Sequence, residues 1–418
     1  MIHQRKILKA IAYAILLCFT SLTGAQPLYA VPLNHQTPTG FESVTGNSVY
    51  DGHENISQTG MTAVNSWGDF SIGADATVNF TGPNGFNSFN YVRGGGKISE
   101  IYGQLNAVGG NIFIANPAGV QIGNSAQINV GSLYVTNKDI GQAIKDGKLE
   151  INENTIDVAN KLQSVAATNA ELMSLGAIVN AKNVTFDGGR IVLDTDRIYA
   201  DNAEGELQPV DDVALTGMLN IITTDKDNVV LGSSERAGIF NGFSINGGKD
   251  KLEKGYTWVH DLDELQAMNK NTSGWYALRN SIDANATAGT GFDSIGTDAD
   301  RFTGRFDGLG YSIFGLNIDK YATENIGLFG YAQNATIRNF TLNSSEIKGG
   351  ANTGAVVGHA DGGKIENVTN TGNVTGGDGT GGLVGKAENN VAMSGLINIG
   401  KVTGGDDSCG LVSPLSAG

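Results

Sequence analysis

Two short markers repeat in step through the C-terminal third of the chain. The first is a glycine-bounded apolar segment that recurs at steps of 28, 27 and 28 residues, ending at Gly330, Gly358, Gly385 and Ser413. The second, "IKGG" or "VTGG", ends at Gly350, Gly377 and Gly405. One such unit cannot bury its own apolar face, but stacked units can, because each strand pairs with the strand one repeat away. The repeats therefore predict a parallel β-solenoid with coils about 4.8 Å apart.

The composition agrees with many short strands and tight turns. The 418 residues include 60 glycines, and only 17% of them are charged. Glycine accepts positive φ at the corners of coils, and Asn or Thr at equivalent positions can form hydrogen-bonded ladders. The predicted fold class is all-β: a parallel right-handed β-helix (β-solenoid) with a short helical insertion.

Two segments interrupt the strand pattern. Residues 138–172 are more charged and less regular, and we interpret them as an excursion from the coil stack. The stretch 261–270 is the best candidate for a helix, because Asp261 can cap it and Glu264 stands at the third helical position. Its apolar face contains Leu262, Leu265 and Met268. This helix could seal one end of a solenoid segment; a partner-binding helix is the alternative, which the narrow apolar face disfavours.

The first thirty residues have the pattern of a signal peptide. A basic start, "MIHQRKILK", precedes the apolar run "AIAYAILLCF". Small residues then allow cleavage after Ala30, or alternatively after Ala25. No later segment has the ~20 apolar residues of a membrane-spanning helix. We therefore expect residues 1–30 to be removed and the mature chain to be exported.

Charge and cysteine content limit the partners. The formal net charge is −15, and loss of the three basic residues of the signal peptide would make it −18. This acidity argues against nucleic acid and anionic membranes as partners. Only Cys409 would remain in the mature chain, so no intramolecular disulfide is expected.

The sequence lacks the common patterns of catalytic and metal sites. No two histidines stand four residues apart, so the H-E-x-x-H pattern of zinc peptidases is absent. Cys409 has no nearby histidine, and we interpret it as a packed repeat residue rather than a nucleophile. Acidic clusters at 194–201 and 297–302 lack the full spacing of a calcium loop and are interpreted as solvated turns. No cofactor and no enzymatic activity are predicted.

The enzymatic alternative is a polysaccharide lyase or hydrolase, because parallel β-helices host such enzymes. These sites need carboxylates and a basic residue aligned across adjacent coils. The nearest candidates are Asp187, Arg190, Asp194 and Arg197. The fold alone does not supply that chemistry.

The stretch "NIFIANPAGVQIG" (111–123) predicts a strand, a corner and a second strand. The ring of Pro117 fixes φ, the side chain of Asn116 can bond the adjacent backbone, and Gly119 permits the bend. The break at 116–119 is therefore expected to be a tight corner of a solenoid coil.

Residues 61–136 resemble the N-terminal secretion domain of filamentous-haemagglutinin-like exoproteins, the large two-partner secretion proteins of Gram-negative bacteria. The matching text is "NSWGDFSI" (65–72), "FNSFNYVRGGGKISEIYGQL" (86–105) and the stretch 109–136. The family's Trp-x-x-Phe-x-Ile entry is matched by Trp67, Phe70 and Ile72. Its Asn-Arg-Val element corresponds to Asn90, Tyr91 and Val92. Its Asn-Pro-Asn-Gly corner corresponds to Asn116, Pro117, Ala118 and Gly119.

Two departures from the family pattern stand out, Tyr91 for Arg and Ala118 for Asn. The corner geometry should survive, but a transporter contact through the second Asn is put in question. The resemblance implies export through the periplasm and through an outer-membrane β-barrel transporter with periplasmic domains. It also implies a secretion role for the corner 116–119, together with Asn90, Trp67 and Phe70.

The resemblance also suggests a domain organisation. Residues 31–210 would form the two-partner secretion domain, residues 211–255 a connecting segment, and residues 256–418 a region similar to GLUG repeats. The expected product is a secreted or cell-surface adhesin, similar to haemagglutinins, whose receptor the sequence does not name. The alternatives are a cytolysin or a contact-dependent growth-inhibition exoprotein that shares the secretion domain.

Overall fold

The fold is described from a computed structural model. The residues described are 44–49, 53–93, 97–146, 165–168, 170–175, 177–181, 183–194, 198–201, 207–209, 219–223, 226–233, 244–245 and 255–413. The predicted signal peptide with its cleavage site at Ala30, and most of the connecting segment 211–255, lie outside them. The chain divides into two compact units, which consist of Met1–Leu231 with Asn241–Leu252, and of Gly232–Phe240 with Glu253–Gly418.

Short strands dominate the chain up to residue 245. They are β1 (Val44–Val49), β2 (His53–Gln58), β3 (Thr62–Trp67), β4 (Thr77–Thr81), β5 (Asn87–Val92), β6 (Ser99–Ile101), β7 (Gln104–Ala115), β8 (Val120–Ile122), β9 (Gln127–Thr136), β10 (Glu171–Ser174), β11 (Ile178–Asn180), β12 (Asn183–Asp187), β13 (Arg190–Asp194), β14 (Ile198–Asp201), β15 (Leu207–Pro209), β16 (Leu219–Ile222), β17 (Val229–Ser233) and β18 (Ser244–Ile245).

The strands from residue 256 onward are shorter still. They are β19 (Tyr256–Val259), β20 (Trp275–Leu278), β21 (Ile282–Asp283), β22 (Arg305–Asp307), β23 (Ser312–Phe314), β24 (Asn317–Asp319), β25 (Phe329–Gln333), β26 (Thr336–Asn343), β27 (Glu346–Lys348), β28 (Val357–Asp361), β29 (Lys364–Asn370), β30 (Asn373–Thr375), β31 (Val384–Glu388), β32 (Ala392–Ser394), β33 (Ile397–Asn398) and β34 (Val402–Thr403).

Helices are few and short in the described residues. They are α1 (Ile140–Lys145), α2 (Leu262–Ala267) and α3 (Thr287–Thr290), with 3-10 turns at Lys226–Asn228 and Met268–Lys270. Within the described part of the chain, no helix is both long and apolar enough to cross a membrane.

Three rows of parallel strands form the walls of the first unit. One row contains β2, β4, the first half of β7, the first half of β9, and β11. A second contains β3, β5, the second halves of β7 and β9, and β12. The third contains β6, β8, β10 and β13. The prediction of a parallel β-solenoid is therefore confirmed.

Alternation along each strand separates core from surface in this unit. Val78, Leu105, Ile128 and Val179 occupy one register position in successive coils, and each is 0% exposed. One position further along the same strands, asparagine side chains face outward and form the predicted ladder. In this ladder the amide nitrogen of each coil donates to the amide oxygen of the coil before it, at 3.0, 2.9 and 3.0 Å, through Asn55, Asn79, Asn106 and Asn129.

The strands of the second unit repeat at the spacing that the sequence markers predict. Phe329, Val357, Val384 and Val412 are paired in register across four coils, at the steps of 28, 27 and 28 residues. A left-handed corner repeats beside them with φ values of 57°, 54°, 68° and 59°, at Asn325, Asn352, Gly379 and Asp407. Glycine and the short polar residues Asn and Asp tolerate this conformation best.

The helix predicted at 261–270 is confirmed as α2 with the 3-10 turn that follows it. The Asp261 carboxylate accepts the backbone N–H of Glu264 at 2.9 Å, which caps the helix. Leu265 and Met268 are both 0% exposed in the core of the second unit, and Leu262 packs against that core. Within the predicted excursion 138–172, the structure describes α1 and the segments 165–168 and 170–172.

Cys409 is exposed, so its interpretation as a packed residue was wrong. It is bridged to Gly381 of the preceding coil. It belongs to the last coil that the structure describes, and within the described residues no further coil covers it. The repeat position is retained, but burial at that position depends on a neighbour on each side.

Candidate functional site

The predicted corner at 116–119 lies between β7 and β8 and is closed by its own residues. Asn116 is 1% exposed, and its side-chain oxygen accepts the backbone N–H of Ala118 at 2.9 Å. The Gly119 N–H donates to the Asn116 carbonyl at 2.9 Å, with Gly119 at φ +109°. Pro117 and Ala118 are half-buried. The sequence thus folds locally into a turn whose first residue is held inside.

The side chain of Asn116 also reaches the preceding coil. Its amide nitrogen donates to the Lys97 carbonyl at 2.8 Å and to the Ser99 hydroxyl at 3.0 Å. Ser99 N–H in turn donates to the Gly119 carbonyl at 3.1 Å. Asn116 therefore uses both ends of its amide, one to close its own corner and one to fasten that corner to the coil before it.

The following coil packs onto the other side of the corner. The Thr168 hydroxyl donates to the Pro117 carbonyl at 2.8 Å. A Cβ atom added at Gly119 would lie 2.7 Å from the Glu171 carbonyl oxygen, which is closer than real Cβ contacts. The corner is therefore enclosed between two coils, and its two half-buried residues are its outer part.

The excursion leaves the next coil at the equivalent corner. Ala115 and Thr136 are partners in the parallel ladder, so Asn137 follows Thr136 as Asn116 follows Ala115. The Asn137 amide nitrogen donates to the carbonyls of Thr168 and Ala170, at 3.1 and 2.7 Å. An asparagine thus holds both corners, and in the second it ties together the two ends of the excursion.

Trp67, Phe70 and Asn90 form one buried cluster in the first unit. The indole of Trp67 packs edge-on against Phe70, with centroids 5.4 Å apart and planes at 67°. Asn90 lies inside the coils at the register position that Ile114 occupies in the next coil. Its amide nitrogen reaches the Phe113 carbonyl at 3.3 Å, which links the cluster to β7.

An aromatic row under α1 was not predicted from the sequence. Phe89 stacks on Phe113 with centroids 4.1 Å apart, and Phe113 stacks on Tyr134 at 5.5 Å. Ile140 of α1 is buried in the same cluster, with Tyr91 packed against it. Tyr91, which departs from the family's Arg, therefore belongs to the surface that α1 covers. The signal was present in the sequence as aromatics at one register position of three coils.

The residues proposed for a polysaccharide-degrading site have structural partners. Asp187 is 1% exposed and accepts from the Lys138 ammonium at 2.9 Å and from the Tyr134 hydroxyl at 2.5 Å. Burial, with the charge of Asp187, raises the pKa of Tyr134, so its hydroxyl remains a neutral donor. Arg190 pairs with Glu171 at 2.6 Å. The side chain of Asp194 and all of Arg197 lie outside the described residues.

These contacts leave Asp187 buried in an ion pair and Arg190 engaged by Glu171. Across the residues that the structure describes in both units, no three His, Cys, Asp or Glu side chains are grouped to hold a metal ion. What the arrangement around 116–119 provides is a hydrogen-bonded junction of three successive coils.

A sequence profile of the TPS (two-partner secretion) secretion domain matches residues 33–250, which is more than half of the chain. The chain belongs to the TPS secretion domain family. It is a two-partner secretion exoprotein, and the resemblance found in residues 61–136 is confirmed. The enclosed corner at 116–119 and the Trp67 cluster both lie within the matched domain.

Curated relatives share part of the sequence. A heme/hemopexin-binding protein of Haemophilus influenzae is 31% identical over 191 residues, covering 45% of this chain and 20% of that protein. A second Haemophilus influenzae protein of the same name is 34% identical over 126 residues, covering 30% of this chain and 13% of that protein. Halomucin of Haloquadratum walsbyi is 35% identical over 124 residues, covering 27% of this chain and 1% of that protein. The chain thus spans a fifth or less of the length of these relatives.

A solved structure is also similar. The crystal structure of the HMW1 secretion domain from Haemophilus influenzae aligns at 14% identity with a TM-score of 0.30, covering 89% of this chain and 100% of that chain.

Proposed function

We propose that the first unit directs export of this exoprotein through an outer-membrane β-barrel transporter with periplasmic domains, and that the corner 116–119 acts in this step. The TPS secretion domain supports the general route. The observation that carries the role of the corner is the amide of Asn116, which fastens its own coil to the preceding one through Lys97 and Ser99.

The physical argument concerns the first coils to form. A solenoid is stabilised by contacts between neighbouring repeats, and the first coils have few neighbours. Loss of a side chain that satisfies local backbone groups costs roughly 0.5–2 kcal/mol at comparable capping sites. A complete coil stack tolerates that loss. A nucleus of two or three coils emerging from a transporter does not, so export is the sensitive step.

The test is to co-express Asn116→Ala and Asn116→Ile with the outer-membrane partner and to compare protein in the medium with protein in the periplasm. Asn124→Ala is the matched control, because Asn124 is an exposed residue of the next turn. We expect both Asn116 variants to export poorly while their refolded proteins melt close to the parent. Normal export of both would remove the secretion role from residues 116–119.

For the second unit we propose an adhesive or stalk-like role at the bacterial surface. Support comes from its regular coils, which continue the 27–28-residue repeats that resemble GLUG repeats. Such a stack presents repeated outward positions to a receptor on a host cell or surface. The cytolysin and growth-inhibition alternatives are separated from this proposal by measuring lysis and clumping of red cells and killing of neighbouring bacteria. Lysis or killing without clumping would overturn the adhesin proposal.

Two further proposals complete this function. The signal peptide is removed after Ala30 before the chain crosses the periplasm, and N-terminal sequencing of secreted protein that began at Met1 would contradict it. The protein has no polysaccharide-degrading activity, consistent with the burial of Asp187. Incubation with acidic polysaccharides should then give no new reducing ends and no unsaturated products.

A further inference from the structure

We propose that Asp187 is a positioning residue for the corner 116–119, which it holds through a relay of contacts that crosses three successive coils. The proposal rests on the export role proposed above and deepens it. It adds Asp187, which stands 70 positions after Pro117, to the residues on which export depends.

The relay begins at a buried ion pair. Lys138 and Asp187 are joined at 2.9 Å, with side chains only 7% and 2% exposed. The Tyr134 hydroxyl donates to the same carboxylate oxygen at 2.5 Å. Removing one member of a buried pair leaves the other charge uncompensated in a low-dielectric interior, which is strongly unfavourable. Asp187 therefore helps to hold the Lys138 ammonium at this buried position.

Lys138 fixes the base of the excursion. It follows Asn137 directly, and its backbone forms an antiparallel bridge with Ala167 at the returning end. Its N–H also donates to the Thr136 hydroxyl at 3.1 Å. The ammonium, the bridge and the Asn137 amide thus hold the two ends of the excursion against the coil.

The returning end is what touches the corner. Asn137 donates to the Thr168 carbonyl at 3.1 Å, and the Thr168 hydroxyl donates to the Pro117 carbonyl at 2.8 Å. The sequence of contacts is therefore Asp187 to Lys138, Asn137 to Thr168, and Thr168 to Pro117. Each step is a direct hydrogen bond or a peptide link between neighbours.

The order of these residues in the chain determines when the relay can form during export. Asp187 lies 49 residues after Lys138, on β12 of the following coil. A chain that leaves the transporter from its N-terminus delivers the corner first and Asp187 last. The contact of the corner with the following coil, through Thr168 and Pro117, is consequently complete only when the coil that carries Asp187 has folded.

The experiment uses the full chain co-expressed with its transporter. Asp187→Asn keeps the shape of the side chain and removes its charge. Thr168→Val removes the hydroxyl at the far end of the relay without touching the ion pair. The controls are Leu193→Ala, which opens a cavity at a fully buried core position of the first unit, and Arg190→Gln, which breaks the partly exposed pair with Glu171.

Two readouts separate positioning from general stability. We expect Asp187→Asn to lower the exported fraction about tenfold, and more than a Leu193→Ala chain of equal or lower melting temperature. Hydrogen exchange of refolded Asp187→Asn and Thr168→Val should rise in peptides that cover 97–99 and 116–119, and should stay at the parent level in Arg190→Gln. Thr168→Val should lose export with little change in melting temperature.

A double variant keeps the test decisive if Asp187→Asn does not refold. Lys138→Met with Asp187→Leu removes both charges together and should recover much of the export that Asp187→Asn loses. The relay would be overturned if Asp187→Asn and Leu193→Ala lost export in the same proportion to their loss of melting temperature. Normal export of Thr168→Val would also overturn it. If Asn116→Ala blocks export while Asp187→Asn and Thr168→Val do not, the proposed function stands and this inference fails.

Discussion

The indole nitrogen of Trp67 donates to the side-chain oxygen of Asn90 at 3.0 Å, and both residues lie inside the coils. The same oxygen accepts from the Asn65 amide at 3.2 Å. Asn90 occupies a position where the next two coils carry Ile114 and Val135. A polar residue is held in this apolar row because its neighbours in the preceding coil are donors.

Replacing Asn90 should therefore destabilise the first unit. In Asn90→Leu, Trp67 and Asn65 lose this acceptor, and removal of one partner of a buried hydrogen bond costs about 1–3 kcal/mol. We expect a lower urea midpoint with an unchanged slope. In a Trp67→Phe background the indole donor is already gone, so Asn90→Leu should cost less. An equal cost in both backgrounds would show that the Trp67–Asn90 bond adds nothing to stability.

Gly119 should not tolerate a side chain. Its φ of +109° is unfavourable for other residues, and a Cβ atom would approach the Glu171 carbonyl oxygen to 2.7 Å. Gly119→Ala is expected to cost about 1–3 kcal/mol. Ala118→Gly, next to it in the same corner, should cost no more than about 1 kcal/mol. Thermal melts of the two refolded variants check this order, and the reverse order would contradict it.

The asparagine ladder gives a prediction with its own control. Asn106 donates to Asn79 and accepts from Asn129, whereas the structure shows Asn55 only as an acceptor, from Asn79. A hydrogen bond of this kind contributes about 0.5–1.5 kcal/mol. Asn106→Ala should therefore lower the free energy of unfolding about twice as much as Asn55→Ala. Equal losses in denaturant titrations would mean that the rungs do not act as separate bonds.

Glu54 should make the first unit less stable as the pH rises from 4.5 to about 7. Burial raises its pKa from 4.5 to about 7, and one of its buried carboxyl oxygens has no hydrogen-bond partner among the residues described. The folded state thus favours the protonated form. This contribution is fully present below pH 4.5 and is lost as pH rises through about 7. Glu54→Gln should raise the urea midpoint at about pH 8 and leave it nearly unchanged at about pH 4. A Glu54→Gln midpoint that shifted equally at both values would rule out titration of Glu54.

His359 should make the second unit less stable as the pH falls. Its ring stacks on Tyr331 with centroids 4.1 Å apart and pairs with Glu388 at 2.8 Å. Burial lowers its pKa from 6.5, against the opposing effect of Glu388. Because the unfolded chain takes up the proton first, stability is present above pH 6.5 and is lost as pH falls through the lowered pKa. His359→Phe keeps the stacked ring and cannot titrate. Its urea midpoint should fall less than that of the parent between about pH 7.5 and about pH 5.5, and an identical fall would assign the effect to other groups.

The fold could be predicted from the sequence because similar coils recur along the stack at a regular residue spacing. Two markers that recur together fix which residues stack, and the observed pairs Phe329–Val357 and Val357–Val384 follow those steps. Cys409 shows the limit of this reasoning. Its repeat position was predictable, but its burial depends on whether another coil lies above it.

The site could be predicted only as far as its own residues. The turn at Asn116 follows from local chemistry, so the strand, corner and strand were predictable. Its partners Ser99 and Thr168 come from the coils on either side, and no repeat marker connects them to the corner. The sequence alone makes Asp187 only a candidate carboxylate of a polysaccharide-degrading site, because a sequence shows neither the burial of a carboxylate nor the lysine that neutralises it.

The excursion shows that the number of residues in a coil does not determine how far that coil advances along the axis of the stack. Val120 pairs with Leu172, 52 residues later, whereas Leu172 pairs with Ile191 only 19 residues later. Both steps climb the same strand spacing, about 4.8 Å. The axial length of such a stack is therefore counted in coils and not in residues. Sequence inserted at a corner therefore leaves the register and the spacing of the following strands unchanged.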